Sequence, residues 1–129
     1  MNNEILISRE YRINFTKPLI VKIFKPEVDL SYSQSRAKTY KVEFLIEGLD
    51  HEYMSKAYGL DELQAIYKAF ITIGNLLYSS KEYADGNITF NGGFDLQLPT
   101  SDAVVGYVSH QSKLFLNNYK KNVVSASFS

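Results

Sequence analysis

The sequence predicts an α+β domain. An antiparallel sheet of about four strands, then a hairpin, packs on one long central helix in the order β-β-β-β-α-β-β, with a C-terminal extension. Three stretches carry the prediction. Tyr40, Val42, Phe44 and Ile46 alternate with Lys41, Glu43 and Glu47, the period of a half-buried strand. Gly59 to Ser80 is one sustained helical pattern. Asn91-Gly92-Gly93 between Ile88-Thr89-Phe90 and Phe94 to Leu98 is a short-hairpin signal, because Asn-Gly and Gly-Gly supply the positive φ angles of tight turns.

From Glu4 to Phe15, Ile5, Ile7, Tyr11, Ile13 and Phe15 share one parity, and Ser8, Glu10, Arg12 and Asn14 the other. Arg9 breaks the pattern by standing on the apolar parity. Thr16-Lys17-Pro18 signals a turn, and Leu19, Val21 and Ile23 continue as a second strand that ends at Pro26. Glu27 to Lys38 is polar and reads as a loop around Ser31 to Arg36. The strand from Thr39 turns at Gly48-Leu49-Asp50, and His51 to Tyr58 returns antiparallel.

The helix follows. Asp61 is placed to N-cap it, with Gln64 three residues on as in a capping box. Leu63, Ile66, Tyr67, Phe70, Ile73, Gly74 and Leu77 form the apolar face; Gln64, Lys68, Thr72, Asn75 and Ser79 form the polar one. Ala65, Ala69, Ile71 and Leu76 widen the apolar surface. Gly74 costs about 1 kcal/mol of helix propensity, and its place on the apolar face implies close approach of a sheet to the helix backbone. Lys81 to Gly86 reads as a loop. After Pro99, Thr100-Ser101-Asp102 is read as the cap of a helix bearing Val104, Val105, Val108 and Phe115 through about Asn117, with a frayed end. The division expected is a single domain over residues 1–99, with residues 100–129 an extension packed on it.

Several local words, with the order of elements, are similar to those of a family of small bacterial proteins known only as a domain of unknown function. They are Ser8 to Arg12, Lys25-Pro26-Glu27, Phe44 to Gly48, Ala57 to Ala65 into the helix, and Ile88 to Pro99, where Phe90 replaces a larger aromatic of the relatives. The resemblance runs from about Glu4 to Pro99. It implies the architecture and a bacterial intracellular setting, and no chemistry.

Composition narrows the function classes. The chain has 129 residues and no cysteine, which removes disulfides, thiolate metal sites and a Cys nucleophile and suits a reducing cytoplasm. Lys+Arg and Asp+Glu balance at 14 each, so no charge excess favours nucleic acid or an anionic membrane. The start of the chain lacks a basic and apolar leader, and no apolar run reaches spanning length. His51 and His110 are the only histidines and have no metal-ligand spacing. No serine stands in Gly-x-Ser-x-Gly, and no phosphate loop is present. Lys113, Lys120 and Lys121 with Phe115 and Tyr119 read as a solvated helix end rather than a nucleic-acid surface. No catalytic residue, metal site or cofactor is therefore assigned.

Arg9 is the singular residue. An Arg on an inward face needs a partner, and Asp61, Glu62 and Asp95 are the carboxylates to look for. Otherwise it stands at the rim of a pocket and receives an anion. Tyr11, Tyr53 and Tyr58 share its strand-rich setting and complete, with His51, the set of candidate binding residues. The expectation is a non-enzymatic module that binds a ligand or a protein partner, as a monomer or homodimer. An immunity-like protein that neutralises a toxin is one version, by analogy of size and architecture. The alternative is a small enzyme using His51 with carboxylates at the mouth between sheet and helix. The character of the largest pocket discriminates the two.

Overall fold

A computed structural model describes residues 4–30 and 38–101. The strands are β1 (Ile5–Ile13), β2 (Lys17–Phe24), β3 (Glu27–Val28), β4 (Tyr40–Glu47), β5 (Tyr53–Gly59) and β6 (Ile88–Thr89). The helices are α1 (Glu62–Tyr78) and α2 (Lys81–Ala84). Every pairing is antiparallel: β1 with β2 and β6, β4 with β2, β3 and β5. Since β5 and β2 both pair with Phe44 to Ile46, they take opposite edges of β4. β3 pairs Tyr40 and Lys41, which β5 also pairs, so it prolongs the β2 edge after the break at Pro26. The result is an α+β fold, a six-stranded antiparallel sheet under one main helix.

One sheet face is apolar because the alternation is in register across strands. Arg9 faces Val21, Tyr11 faces Leu19, Val21 faces Ile46 and Ile23 faces Phe44. Leu19, Val42, Phe44 and Ile46 are almost wholly buried against Ala65, Ala69, Ile73 and Leu77 of α1. The other face carries charge pairs, Lys22–Glu47 at 2.9 Å and Lys41–Glu27 at 3.5 Å, as an antiparallel sheet with one wet side does.

α1 starts as its capping signal requires. Asp61 accepts from the Gln64 backbone N–H at 2.7 Å, and the Gln64 side chain accepts from the Leu60 N–H at 2.6 Å. The apolar face is turned from the expected one, however. Leu63 and Tyr67 are 77% and 55% exposed, and the N-terminal half packs through Ala65 and Ala69 instead. Two alanines let the helix backbone sit close to β4 and β5, and that proximity rotates the longer side chains out. Gly59 belongs to the same contact: a Cβ there would meet the backbone of Gln64 and Ala65.

Local assignments differ in five places. Glu27–Val28, in the stretch read as a loop, pairs with Lys41 and Tyr40 as the short strand β3. β1 stops at Ile13, because Asn14 and Phe15 both take positive φ and turn the chain two residues early, which leaves Phe15 exposed. A register shift between Ile5 and Ile7 breaks the alternation at the outer end of β1, so Ile5, Leu6 and Ile7 are all exposed. Lys81–Ala84 is a helical turn rather than a loop, capped by Ser80. Asn91 and Gly92 make the tight turn expected of Asn-Gly, with φ of 51° and 81°. The hairpin closes only at Phe90 and Gly93, and the chain then leaves the sheet as a strap over α1. The Ser31 to Arg36 loop and the C-terminal helix expected from the sequence lie outside the described residues.

Candidate functional site

The strap decides where a site forms. Three tyrosine hydroxyls from three elements hold it. Tyr83 of α2 donates to the Phe94 carbonyl at 2.8 Å. Tyr78 of α1 accepts from the Leu96 N–H at 2.8 Å, and its hydroxyl lies 3.3 Å from the Asp95 carboxylate. Tyr11 of β1 donates to the Leu96 carbonyl at 3.0 Å. Burial pushes the Tyr11 and Tyr78 hydroxyls above the ordinary tyrosine range, since the phenolate would lose its water. Leu96 is fully buried beneath them. Further on, the carbonyl of Pro99 lies against Gly74, so the close approach signalled by that glycine is made by the strap and not by the sheet.

Between α1 and the β1–β2 end of the sheet the strap leaves a cavity of about 330 Å³. Ile7, Val21 and Ile23 form its floor, Phe70 and Ile73 its helical wall, and Leu98 and Pro99 its end. Arg9 stands at its rim beside Gln97. Among the described residues neither a histidine nor a carboxylate lines it.

Arg9 is not paired with Asp61, Glu62 or Asp95. Its Nη1 donates to the Gln97 carbonyl at 2.9 Å, to the Leu96 carbonyl at 3.2 Å and to the Tyr11 hydroxyl at 3.3 Å. Its guanidinium lies 4.7 Å from the centre of the Phe90 ring, in cation–π range. Asp95 is turned elsewhere, accepting from the Gln97 backbone N–H at 2.9 Å and from its side-chain amide at 3.2 Å. Among the described residues no carboxylate forms an ion pair with Arg9, and its Nη2 and Nε have no hydrogen-bond acceptor. Held by neutral oxygens and a ring face, the guanidinium has no counter-charge among the described residues at the cavity mouth.

The other candidates do not join it, Tyr11 excepted. Tyr11 is buried behind Arg9 and serves the strap. His51 is exposed and lines a second, smaller cleft of about 170 Å³ with Asp50, Tyr53 and Glu82. It makes no hydrogen bond or ion pair with a described residue. Tyr53 stacks on Phe44, centroids 6.4 Å apart. Tyr58 lies on the charged sheet face, where the Lys56 ammonium sits 5.9 Å from its ring. Among the described residues no group of three or more His, Asp or Glu is placed to hold a metal ion, and no helix is long and apolar enough to cross a membrane.

Sequence reasoning missed Phe70, Gln97, Leu98 and Pro99 as cavity residues. The available signals were Gly74 and the odd parity of Arg9, each of which marks a contact without naming its partner.

No curated protein and no solved structure matches the chain. A family model does match, over residues 7–100, which takes in every strand that forms the cavity, the helix above it and the strap that closes it. The chain belongs to that family, described as a domain of unknown function (DUF6968).

Proposed function

We propose that this domain is a binding module for an amphipathic anion, with an apolar body in the cavity and an anionic head at Arg9. The observation that carries the reading is the pairing of an apolar cavity with a cation that no described carboxylate neutralises. Small-molecule sites of roughly 300 Å³ and upward are mainly apolar with a few polar groups that orient the ligand, and this cavity has that composition. The guanidinium presents donors in a fork that matches a carboxylate. We take the module to work in a bacterial cytoplasm; a cysteine-free chain suits a reducing compartment.

Octanoate is the probe, with octanol as its uncharged counterpart. Octanoate is expected to bind the full chain in titration calorimetry and to raise its melting temperature, and octanol at equal concentration to bind at least tenfold more weakly. Arg9→Met is expected to abolish the difference between the two. Equal binding of octanoate and octanol, or no binding of either, sinks the reading.

A competing enzymatic reading draws on the second cleft, where His51 meets Asp50 and Glu82. A proton-transfer site needs the histidine within hydrogen-bond reach of its partner, and His51 has no such bond to a described residue. A protein partner, of the immunity type or another, would use the same Arg9 rim or the exposed start of β1. Capture that survives Arg9→Met would point to the β1 edge.

A further inference from the structure

The strap that closes the cavity is held unevenly. Up to Leu96 it is fastened by side chains of three elements, with Tyr83 on the Phe94 carbonyl, Tyr78 on the Leu96 N–H and Tyr11 on the Leu96 carbonyl. Beyond Gln97 the fastening thins. Ser101 donates to the Asn75 side-chain oxygen from its backbone N–H at 3.0 Å and from its hydroxyl at 3.4 Å. Leu98, Pro99 and Thr100 make no hydrogen bond to a described residue. The Pro99 carbonyl rests against Gly74. Yet Leu98 and Pro99 wall the end of the cavity.

Gln97 joins the two parts. It is exposed, and its φ of 57° lies in the left-handed region, which a non-glycine residue holds only where its surroundings oblige it. Two contacts do so. Asp95 accepts from the Gln97 backbone N–H at 2.9 Å and from its side-chain amide at 3.2 Å. Arg9 Nη1 donates to the Gln97 carbonyl at 2.9 Å. Neither involves residues 98–101, so rotation about Gln97 swings those residues off α1 with Leu96 still fastened.

Arg9 touches both this joint and the mouth of the cavity. Its Nη1 serves the carbonyls of Leu96 and Gln97, while its Nε and Nη2 stay open to an anion among the described residues. A carboxylate on that fork fixes the plane of the guanidinium, and with it the donor that holds Gln97. The apolar body of the ligand meets Leu98 and Pro99 only while they lie over the cavity. Both effects favour the closed arrangement, and a ligand shifts an equilibrium by such a difference in contacts.

We propose that residues 98–101 are the gate of the cavity, hinged at Gln97, and that a bound anion closes the gate through Arg9. The closure rests on the anion-binding reading and adds to it how the site admits and retains its ligand. By reciprocity, the closed gate tightens the hold on the anion.

Amide hydrogen exchange of the full chain, resolved by residue with NMR, tests the gate without any substitution. The Ser101 amide reports the gate and the Leu96 amide the fastened part. Without ligand, and corrected for intrinsic rates, Ser101 is expected to exchange about tenfold faster than Leu96 or more, because the gate opens without the rest of the strap. Saturating octanoate is expected to slow Ser101 by about fivefold or more and to leave Leu96 within about twofold. Octanol at equal occupancy, which brings no charge to Arg9, is expected to give less than half that slowing. Equal protection of Ser101 and Leu96 in the free protein overturns the gate, whatever binds in the cavity. Octanoate that binds in calorimetry yet leaves Ser101 unchanged overturns the closure while the anion site stands. Equal slowing by octanol removes Arg9 as the link and overturns it as well. Octanoate that does not bind at all defeats the anion-binding reading, and the closure falls with it.

Discussion

Gly74→Ala should destabilise the protein, against the ordinary effect of that substitution in a helix. Glycine to alanine in a helix interior gains about 1 kcal/mol of propensity. Here the new methyl group would fall on the Pro99 carbonyl oxygen and crowd the Leu98 Cβ at 3.3 Å. The obstacle is backbone, so no rotamer change relieves it, and either the strap or the helix must shift. Overpacking of this kind costs about 1–3 kcal/mol. The shift also loosens the bonds that hold the strap, those of Tyr11 and Tyr78 to Leu96 at 3.0 and 2.8 Å and of Arg9 to Gln97 at 2.9 Å. Each is worth about 0.5–1.5 kcal/mol net. With one or two of them lost and the propensity gain set against the total, the expected loss is about 0.5–5 kcal/mol. Urea unfolding followed by far-UV circular dichroism reads it as a lower midpoint at unchanged slope. A double-mutant cycle sharpens the test. If the strap has moved, Tyr11→Phe must cost less in the Gly74→Ala background than in the parent. A Gly74→Ala protein as stable as the parent, or more stable by the propensity gain, refutes the account of the strap.

Two further outcomes follow from the same contacts. Tyr11 and Tyr78 titrate above the ordinary tyrosine value of 10.0 because they are buried. Below pH of about 10 their hydroxyls are neutral in both states and the stabilisation is complete; above it the unfolded chain releases these protons first, so stability falls with rising pH until the folded pKa is passed. Each group contributes a slope of up to about 1.4 kcal/mol per pH unit, so urea midpoints between pH 8 and 11 should drop above pH 10, and Tyr78→Phe should flatten the drop. An equal slope in that variant would remove Tyr78 from the cause. Asp61→Ala should cost about 1 kcal/mol through loss of the N-cap, and Asp61→Asn much less; equal losses would show that charge at the helix start, and not the bond to Gln64, is what matters.

The elements most legible in the sequence were those governed by neighbours along the chain. The alternation of Tyr40 to Glu47 placed β4 because side-chain direction in a strand has period two, and nothing distant can change that. Asp61 with Gln64 marked the start of α1, and Asn91-Gly92 marked the tight turn, through bonds and φ angles internal to a few residues. Where a choice depended on what lay across the fold, the same patterns gave less. Leu63 and Tyr67 fit an apolar face as well as Ala65 and Ala69 do, and periodicity does not say which quadrant meets the sheet. Phe94 to Leu98 alternates like a strand, yet three hydroxyls and Arg9 draw it off the sheet.

The candidate site shows the same division. Arg9 was conspicuous because a charged residue on an apolar parity is locally inconsistent, but its partners lie in residues 96 and 97, far along the chain. The cavity exists only because strap, helix and hairpin meet, and no one of those segments encodes it. His51 and Tyr58 were equally plausible by residue type, and the fold sends them to a separate cleft and to the opposite sheet face.

By itself, then, the sequence determined the α+β class, the order of its main elements, the capped start of α1 and the presence of one anomalous arginine, since all of these rest on periodicity, turn chemistry and composition. Tertiary structure alone decided that the helix packs through its alanines, that the tyrosines clamp a strap, and that Arg9 looks onto an apolar cavity with no described carboxylate to pair with it. These outcomes depend on which surfaces exclude water together and on which distant carbonyls are left to be satisfied, quantities that no local stretch of chain contains.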